Sequence, residues 1–432
     1  MNQRLLCYYG DDFTGSTDAL EALAANGVSS VLFLDPPDEQ RLASFADCRA
    51  IGIAGDSRSR SPEWMSAHLP PVFQSLKDYG APVCQYKVCS TFDSSAEIGS
   101  IGRALEIGRA VFEVPYVPIV VAAPHLKRYV LFAHLFAAEG GEIYRIDRHP
   151  TMRHHPVTPM DEGDLRLHLA RQTSGKTLLL DILALHGGNA EASLDELRAQ
   201  RPQAILFDGI DESSLRETGR LLWCRRPGAG SFAVGSSGLT HALILYWRDT
   251  GVIPTARSPG PPQVAERLLV ISGSCSPATA RQIRWAAAHG FATVRVSYAT
   301  LAESEPREIL LRDSLVALRG GRSIVLYTAL GPGTCTGVLP SAELGRHLGV
   351  LLRELLVRSG VRRAVVAGGD TSSYAVRQLG IHALTFVAQL APGAPLCRSH
   401  SDDPAMNGLE LVLKGGQVGP ENFFGVVRKG ES

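Results

Sequence analysis

Residues 8–20, YYGDDFTGSTDAL, decide how the rest of the chain is read. They follow an apolar run, residues 5–9, that reads as a buried strand, and they open an apolar-periodic segment, residues 19–25, that reads as a helix. Asp11 and Asp12 then stand at the carboxyl end of a first strand, beside Thr14, Gly15, Ser16 and Thr17. Open α/β sheets bind ligands at such ends, because strand ends and helix N-termini converge there on one crevice. One carboxylate of a pair can accept a proton or hold a metal while the other orients it. The plain alternative is a helix cap, but a cap needs one short polar residue and this turn supplies several.

Working outward, residues 31–34 read as a second strand and residues 50–54 as a third, which runs into Asp56 and Arg58. Strand, turn, helix and strand again predict a mainly parallel, doubly wound sheet. Arg58, planar and always charged, suits a carboxylate ligand. Residues 85–94, QYKVCSTFDS, put Lys87, Ser90 and Thr91 at another strand end before a helical pattern over 96–112. For the two hydroxyls a simple turn is the alternative. A strand over 117–122 leads into residues 124–129, PHLKRY. Residues 145–158 are polar and hold His149, His154 and His155, in a spacing that fits neither a zincin helix nor a Cys/His finger. They read as a loop at a site mouth. Residues 174–177, SGKT, end like a phosphate-binding P-loop, but Ala170 stands where that motif needs glycine, a helical stretch precedes and an apolar run follows. Strands over 204–207 and 232–234 close this half, the second running into GSSGL and a helix through Trp247.

The chain has 432 residues, 45% of them apolar, enough for two or three domains with ordinary cores. Lys+Arg and Asp+Glu are both 43, so no basic excess points to nucleic acid or an anionic membrane surface. Eight scattered cysteines without a CxxC pair read as reduced thiols. With no signal-peptide core and no apolar run of membrane length, the expected location is cytoplasmic.

Residues 249–266 carry four prolines and no apolar periodicity, and read as a linker. Beyond them strand and helix alternate again, giving a second α/β domain. Its strand ends are small and polar: Ser272-Gly273-Ser274-Cys275-Ser276, Gly331-Pro332-Gly333-Thr334, and Gly368-Gly369-Asp370-Thr371-Ser372. Such turns let backbone N–H groups approach phosphate oxygens with no side chain in the way. Leu390-Ala391-Pro392-Gly393 and Leu413-Lys414-Gly415-Gly416 add a further flexible glycine segment. The expected fold class is therefore α/β: two doubly wound domains with mainly parallel sheets and a cleft between them.

GDDFTGSTD, Lys87 with Ser90 and Thr91, Arg128 in its proline-to-arginine segment, SGSCSPATARQ, VAGGDTSSYAVRQLGI, APGAP and LKGGQVG resemble, in order and spacing, the four-carbon acid sugar kinases. Two positions depart from the family pattern: Cys89 replaces an aspartate and Asp93 an arginine, which points to a different acid. The resemblance implies a sugar-acid-binding domain over 1–248, a linker over 249–266 and a nucleotide-binding domain over 267–432. It implies transfer of the ATP γ-phosphate to the terminal hydroxyl of a tetronate, a 3-oxo-tetronate or a branched acid such as 3-oxo-isoapionate, with Mg²⁺. Asp12, with Asp11, would receive the hydroxyl proton or hold the metal. Arg58, Lys87 and Arg128 would bind the acid, and Ser90 and Thr91 its hydroxyls. Ser272, Ser274, Ser276, Gly331, Gly368, Gly369, Asp370, Thr371, Ser372, Gly393, Lys414 and Gly415 would hold ATP. The expected partners are the small acid and ATP, with neither nucleic acid nor membrane; a homodimer is left open. Two other classes remain: an ATP-binding sensor without catalysis, and a metal-dependent hydrolase using Asp11, Asp12 and the His149 to His155 region.

Overall fold

The computed structural model describes residues 3–226, 230–254, 260, 262–331 and 341–431, without the side chains of Ser341 and Asp370. In chain order its strands are β1 (Leu6–Gly10), β2 (Ser30–Phe33), β3 (Ala50–Ala54), β4 (Val83–Lys87), β5 (Val117–Val120), β6 (Arg128–Leu131), β7 (His134–Glu139), β8 (Glu142–Arg145), β9 (Thr177–Leu180), β10 (Ala204–Phe207), β11 (Ser231–Gly235), β12 (Leu269–Ser272), β13 (Ala292–Arg295), β14 (Ile324–Tyr327), β15 (Arg363–Ala367), β16 (Ala383–Gln389), β17 (Pro395–His400) and β18 (Glu410–Lys414). The chain divides into two compact units, Met1–Ser30 with Asp38–Ala256, and Val31–Pro37 with Arg257–Ser432.

In the first unit the strand order is β3-β1-β4-β11-β5-β10-β9, and each neighbouring pair is parallel. Successive side chains of a strand leave on opposite faces, and β1 shows both. The Tyr8 hydroxyl donates to the Ser16 carbonyl of the helix Phe13–Ala25 at 3.2 Å. Tyr9 stacks on Tyr86, centroids 5.9 Å apart, with Phe73 of the helix Pro62–Asp78 edge-on to both. Helices thus cover both faces, and the strands between them are apolar along their whole length. From β1 the chain reaches β3 on one side and β4 on the other, so the carboxyl end of β1 is the switch point where a doubly wound sheet opens a crevice.

The second unit has the order β13-β14-β12-β15-β18-β17-β16-β2. β13, β14, β12, β15 and β18 pair in parallel, while β17 runs antiparallel to both neighbours. Here β12 sits between β14 and β15 and its carboxyl end is the switch point.

Three expectations change. Residues 31–34, read as a strand of the first domain, fall in the second unit and pair antiparallel with β16; a short, fully buried apolar run fits either sheet, and its own pattern does not name a partner. Residues 128–145, to which the sequence assigned no element, fold into the antiparallel sheet β6-β7-β8. Leu413 and Lys414, read as part of a flexible glycine segment, end the buried β18. Cys275, read as a thiol, is disulfide-bonded; bridging depends on Cα separation in the fold, which sequence spacing does not give. The SGKT segment lies before β9 instead of after a strand, as its rejection requires.

Candidate functional site

At the end of β1 the backbone is held on both sides: Asp11 N–H donates to the Lys87 carbonyl at 2.9 Å, and Arg58 N–H to the Asp11 carbonyl at 3.0 Å. That brings the ends of β1, β3 and β4 together with the side chains of Asp11, Asp12, Arg58 and Lys87. Asp12 is heavily used. Its Oδ1 caps the following helix by accepting from Gly15 N–H at 2.5 Å, and its Oδ2 accepts from Thr14 Oγ1 at 3.1 Å and from Arg58 Nη1 at 3.4 Å. Asp11 is 5% exposed and its Oδ1 has no hydrogen-bond partner. Burial, joined by the Asp12 carboxylate, pushes the Asp11 carboxyl up to about 7 against the pull of Arg58 and Lys87.

Both expected acid-binding cations of this crevice have carboxylate partners. Arg58 Nη2 donates to Asp93 Oδ2 at 2.6 Å, and Lys87 Nζ lies 3.2 Å from Asp18 Oδ2. Asp93, which sequence reading treated as a liability beside an anionic substrate, has a fully enclosed side chain. It accepts from Arg58, from Thr91 Oγ1 at 2.5 Å and from Thr158 Oγ1 at 3.1 Å. Burial pushes its pKa up, but Arg58 and the Thr91 hydroxyl outweigh that and hold it below the usual carboxylate range. Thr158 Oγ1 is also 3.1 Å from His155 Nδ1, so the histidine-rich segment is tied to the crevice through Asp93. Ser90 and Thr91 form the turn after β4. Asp56 pairs with Arg60. Arg128 opens β6, and its Nη1 donates to the carbonyls of Leu126, Lys127 and Ala138. Asp208, at the end of β10, accepts from the amides of Phe132, Ala133 and Ile182 and so fixes the β6–β7 turn. Among the described residues no three His, Cys, Asp or Glu side chains converge as metal ligands.

In the second unit three glycine turns close on one another above β12, β15 and β18. A Cβ on Gly273 would meet Thr371 Oγ1 at 2.2 Å, and one on Gly416 would meet Ser274 Oγ at 2.7 Å and Ser276 Cβ at 3.0 Å. Gly368 has φ +117°, a conformation that favours glycine. At Gly273 and Gly416 the place of a Cβ is taken by the Thr371 and Ser274 hydroxyls, so glycine is what lets these turns pack so closely. Ser276 caps the helix Pro277–Ala288 through Ala278 N–H, and Ser274 N–H lies 3.4 Å from Ser272 Oγ. Ser372 is fully buried, its hydroxyl turned to the Val366 carbonyl. Gly369 opens the helix Gly369–Val376, Gly393 turns the chain between β16 and β17, and Gly331 follows β14. The side chain of Asp370 and the turn residues Pro332, Gly333 and Thr334 lie outside the described residues.

Lys414 is fully buried, donates to Thr279 Oγ1 at 3.0 Å, and burial alone pulls its pKa down to about 7. Thr279 in turn donates to the Gly416 carbonyl at 2.7 Å, and Gln282 Nε2 donates to the carbonyls of Val418, Gly419 and Pro420. Thr279 and Gln282, like Thr158, escaped sequence reading. Both sit one helical turn apart in an amphipathic stretch, and polar residues on the buried stripe of a helix are the signal that would have found them.

Residues 6–243 match the family described as the sugar-binding N-terminal domain, and residues 269–424 the nucleotide-binding C-terminal domain. The chain is 48% identical to a 3-oxo-isoapionate kinase from Paraburkholderia graminis, over 99% of this chain and 94% of that protein. It is 30% identical to a 3-oxo-tetronate kinase from Cupriavidus necator, over 97% and 95%. A crystal structure of a Salmonella typhimurium LT2 protein superposes with a TM-score of 0.79 at 26% identity, covering 98% of each chain. The chain belongs to the four-carbon acid sugar kinase family.

Proposed function

We propose that this protein is an ATP-dependent kinase that phosphorylates the terminal hydroxyl of a small sugar acid, and that 3-oxo-isoapionate is the acid to try first. The observation that carries the reaction is the Asp11 carboxyl: buried, raised to about 7, with one oxygen unpaired at the switch point of the first sheet. A base of that pKa takes a hydroxyl proton near neutral pH and has a lone pair free to do it. Asp12 is the organiser, committed to the helix cap, Thr14 and Arg58. Arg58, Lys87 and Arg128 supply positive charge to the acid, and Ser90 and Thr91 hydroxyl contacts. The 48% identity to a 3-oxo-isoapionate kinase supports the choice of acid.

ATP belongs with the second unit, its phosphates against the turns of Ser272, Ser274, Ser276, Gly331, Gly368 to Ser372, Gly393 and Lys414-Gly415. Glycine backbones offer amides to phosphate oxygens with no side chain of their own in the way, and beside Gly369 the place of a Cβ is open. Mg²⁺ enters on the nucleotide, coordinated mainly by phosphate oxygens and water, and neutralises phosphate charge. A cytoplasmic location goes with ATP as co-substrate; no described helix is long and apolar enough to cross a membrane.

The test is ADP release from Mg·ATP with linear and branched four- and five-carbon acids. Release stimulated most by 3-oxo-isoapionate, with that acid recovered phosphorylated, is the expected result. Equal turnover of D-erythronate would remove the branched acid as the specific substrate, and no stimulation by any acid would remove the kinase.

A further inference from the structure

The second unit holds a cavity of about 760 Å³ that shares no residue with either crevice. Arg363, the first residue of β15, and Glu410, the first of β18, line it, together with Arg267 just ahead of β12 and Arg398 of β17. The glycine turns leave β12, β15 and β18 at their carboxyl ends, so the cavity lies at the opposite ends of the same strands. Arg362 and Arg398 are exposed, and the space is open to solvent.

Strand register lays a row of charges along it. Arg398 is opposite Glu410, and Glu410 is opposite Arg363, so the three leave the sheet on one face. The one carboxylate of the row goes to the buried arginine: Arg363 Nε donates to Glu410 Oε2 at 2.7 Å and Nη2 lies 2.5 Å from the same oxygen. The other donors of Arg363 reach the carbonyls of Gln263, Val427 and Arg428. Glu410 is thereby held by Arg363, and Arg398 has no carboxylate within ion-pair distance among the described residues. Arg362 and Arg267 have none either. They touch carbonyls, Arg362 Nη1 that of Ala405 at 2.6 Å and Arg267 Nη1 that of Leu318 at 3.1 Å.

Four arginines and two glutamates thus line one cavity, a local charge of +2 in a chain whose formal net charge is zero. An excess of that sign, with three guanidiniums lacking an acid partner, selects an anion, and the planar fork of arginine matches a phosphate. The rest of the lining is apolar. The pairing of β16 with β17 shifts register between Phe386 and Ala388, a bulge at which Val387 joins Val361 and Pro262 in the wall. The volume lies within the roughly 300–1,000 Å³ of small-molecule sites and exceeds what a bare ion fills.

We propose that this cavity is a third ligand site, which binds a phosphorylated small molecule of sugar-phosphate size through the arginines that lack a carboxylate, Arg398 foremost. Arg363 acts as a positioning residue: by holding Glu410 it keeps that carboxylate from neutralising Arg398. The site is independent of the kinase reading, since it uses neither the charged crevice nor the glycine turns.

The experiment is calorimetry on the full chain with Mg·AMP-PNP at saturating concentration, titrating ribose 5-phosphate and, separately, inorganic phosphate into wild type, Arg398→Gln, Arg362→Gln and Gly416→Ala. Wild type should bind one equivalent of ribose 5-phosphate, more tightly than inorganic phosphate. Losing a hydrogen bond to a charged group predicts that Arg398→Gln weakens that binding about ten-fold or more. Gly416→Ala, which alters the glycine turns, should leave it unchanged. Both arginines are exposed and their replacement spares the Arg363–Glu410 pair, so an unchanged Tm is expected of each variant and separates lost binding from lost fold. No binding of ribose 5-phosphate to wild type, or binding that is the same in Arg398→Gln and Arg362→Gln as in wild type, overturns the site. Inorganic phosphate that binds as tightly as ribose 5-phosphate overturns the organic ligand, because the apolar wall would then contribute nothing.

Discussion

At the end of β1 the turn carries two aspartates and gathers Arg58, Lys87, Asp18 and Asp93 around them. At the end of β12 the corresponding turn, Gly273-Ser274-Cys275-Ser276, carries no acidic or basic side chain and is crowded by backbone and hydroxyls from Gly368, Thr371 and Gly416. Both occupy the switch point of a doubly wound sheet. The fold therefore dictates where each crevice opens and leaves its chemistry to the turn. Where a proton has to move, the turn buries a carboxyl and tunes it with neighbours. Where a polyphosphate has to lie, it removes side chains and offers amides.

The strongest way to break that contrast is Asp11→Asn. General base catalysis is worth about 10² to 10⁴ in rate, so acid-dependent ADP release should fall by about a thousand-fold. Stability should move the other way. The folded Asp11 holds its proton to about pH 7, whereas the unfolded carboxyl loses its own near 3.8. Between those values the folded state binds more protons, so this group costs stability as pH rises and the full cost is present above 7. Asp11→Asn should raise Tm at pH 8 relative to wild type and change it little at pH 3.5. Retained activity, or a Tm lower at pH 8, would mean that the charged crevice is not where the proton goes.

A smaller effect separates the two crevices by substrate. Gly416→Ala puts a methyl 2.7 Å from Ser274 Oγ, and the turn must give way. Overpacking of this kind costs about 1–3 kcal/mol, so the ATP KM should rise about ten-fold or more while the KM for the acid stays put. A change in both would show that the second crevice is not specific to the nucleotide.

Most of this division is written locally. The strand ends at Asp11-Asp12, Lys87, Ser272 and Gly368 are each an apolar run meeting a turn, and such a pattern is visible without knowing the neighbours. What the sequence withholds is pairing at a distance. Asp93 reads as a charge reversal beside an anionic ligand, yet its partners Arg58 and Thr158 stand 35 and 65 residues away, and only their meeting turns it into a clamp. Val31 reads as a strand residue, but its partner Thr385 lies in the second unit. His149 was legible as part of a polar loop; its contacts with Tyr144 and Glu139 are delivered by a three-stranded sheet.

Lys414 supplies the finest test, because it sets a strong base into the second crevice. Among the described residues its ammonium touches no carboxylate; it has Thr279 Oγ1 at 3.0 Å and the Phe423 ring at 6.0 Å, and burial lowers it to about 7 from an ordinary 10.5. Between those values the unfolded chain binds the extra proton, so this group adds stability as pH rises from 7 towards 10, opposite in sign and window to Asp11. Lys414→Met removes that slope. For a chain of this size about 1 kcal/mol corresponds to about 2–4 °C, so the Tm of wild type, measured against Lys414→Met, should gain several degrees between pH 7 and pH 10. Parallel Tm curves for the two proteins would mean that Lys414 stays charged in the fold, and the second crevice would then hold a standing cation for the phosphates in addition to its amides.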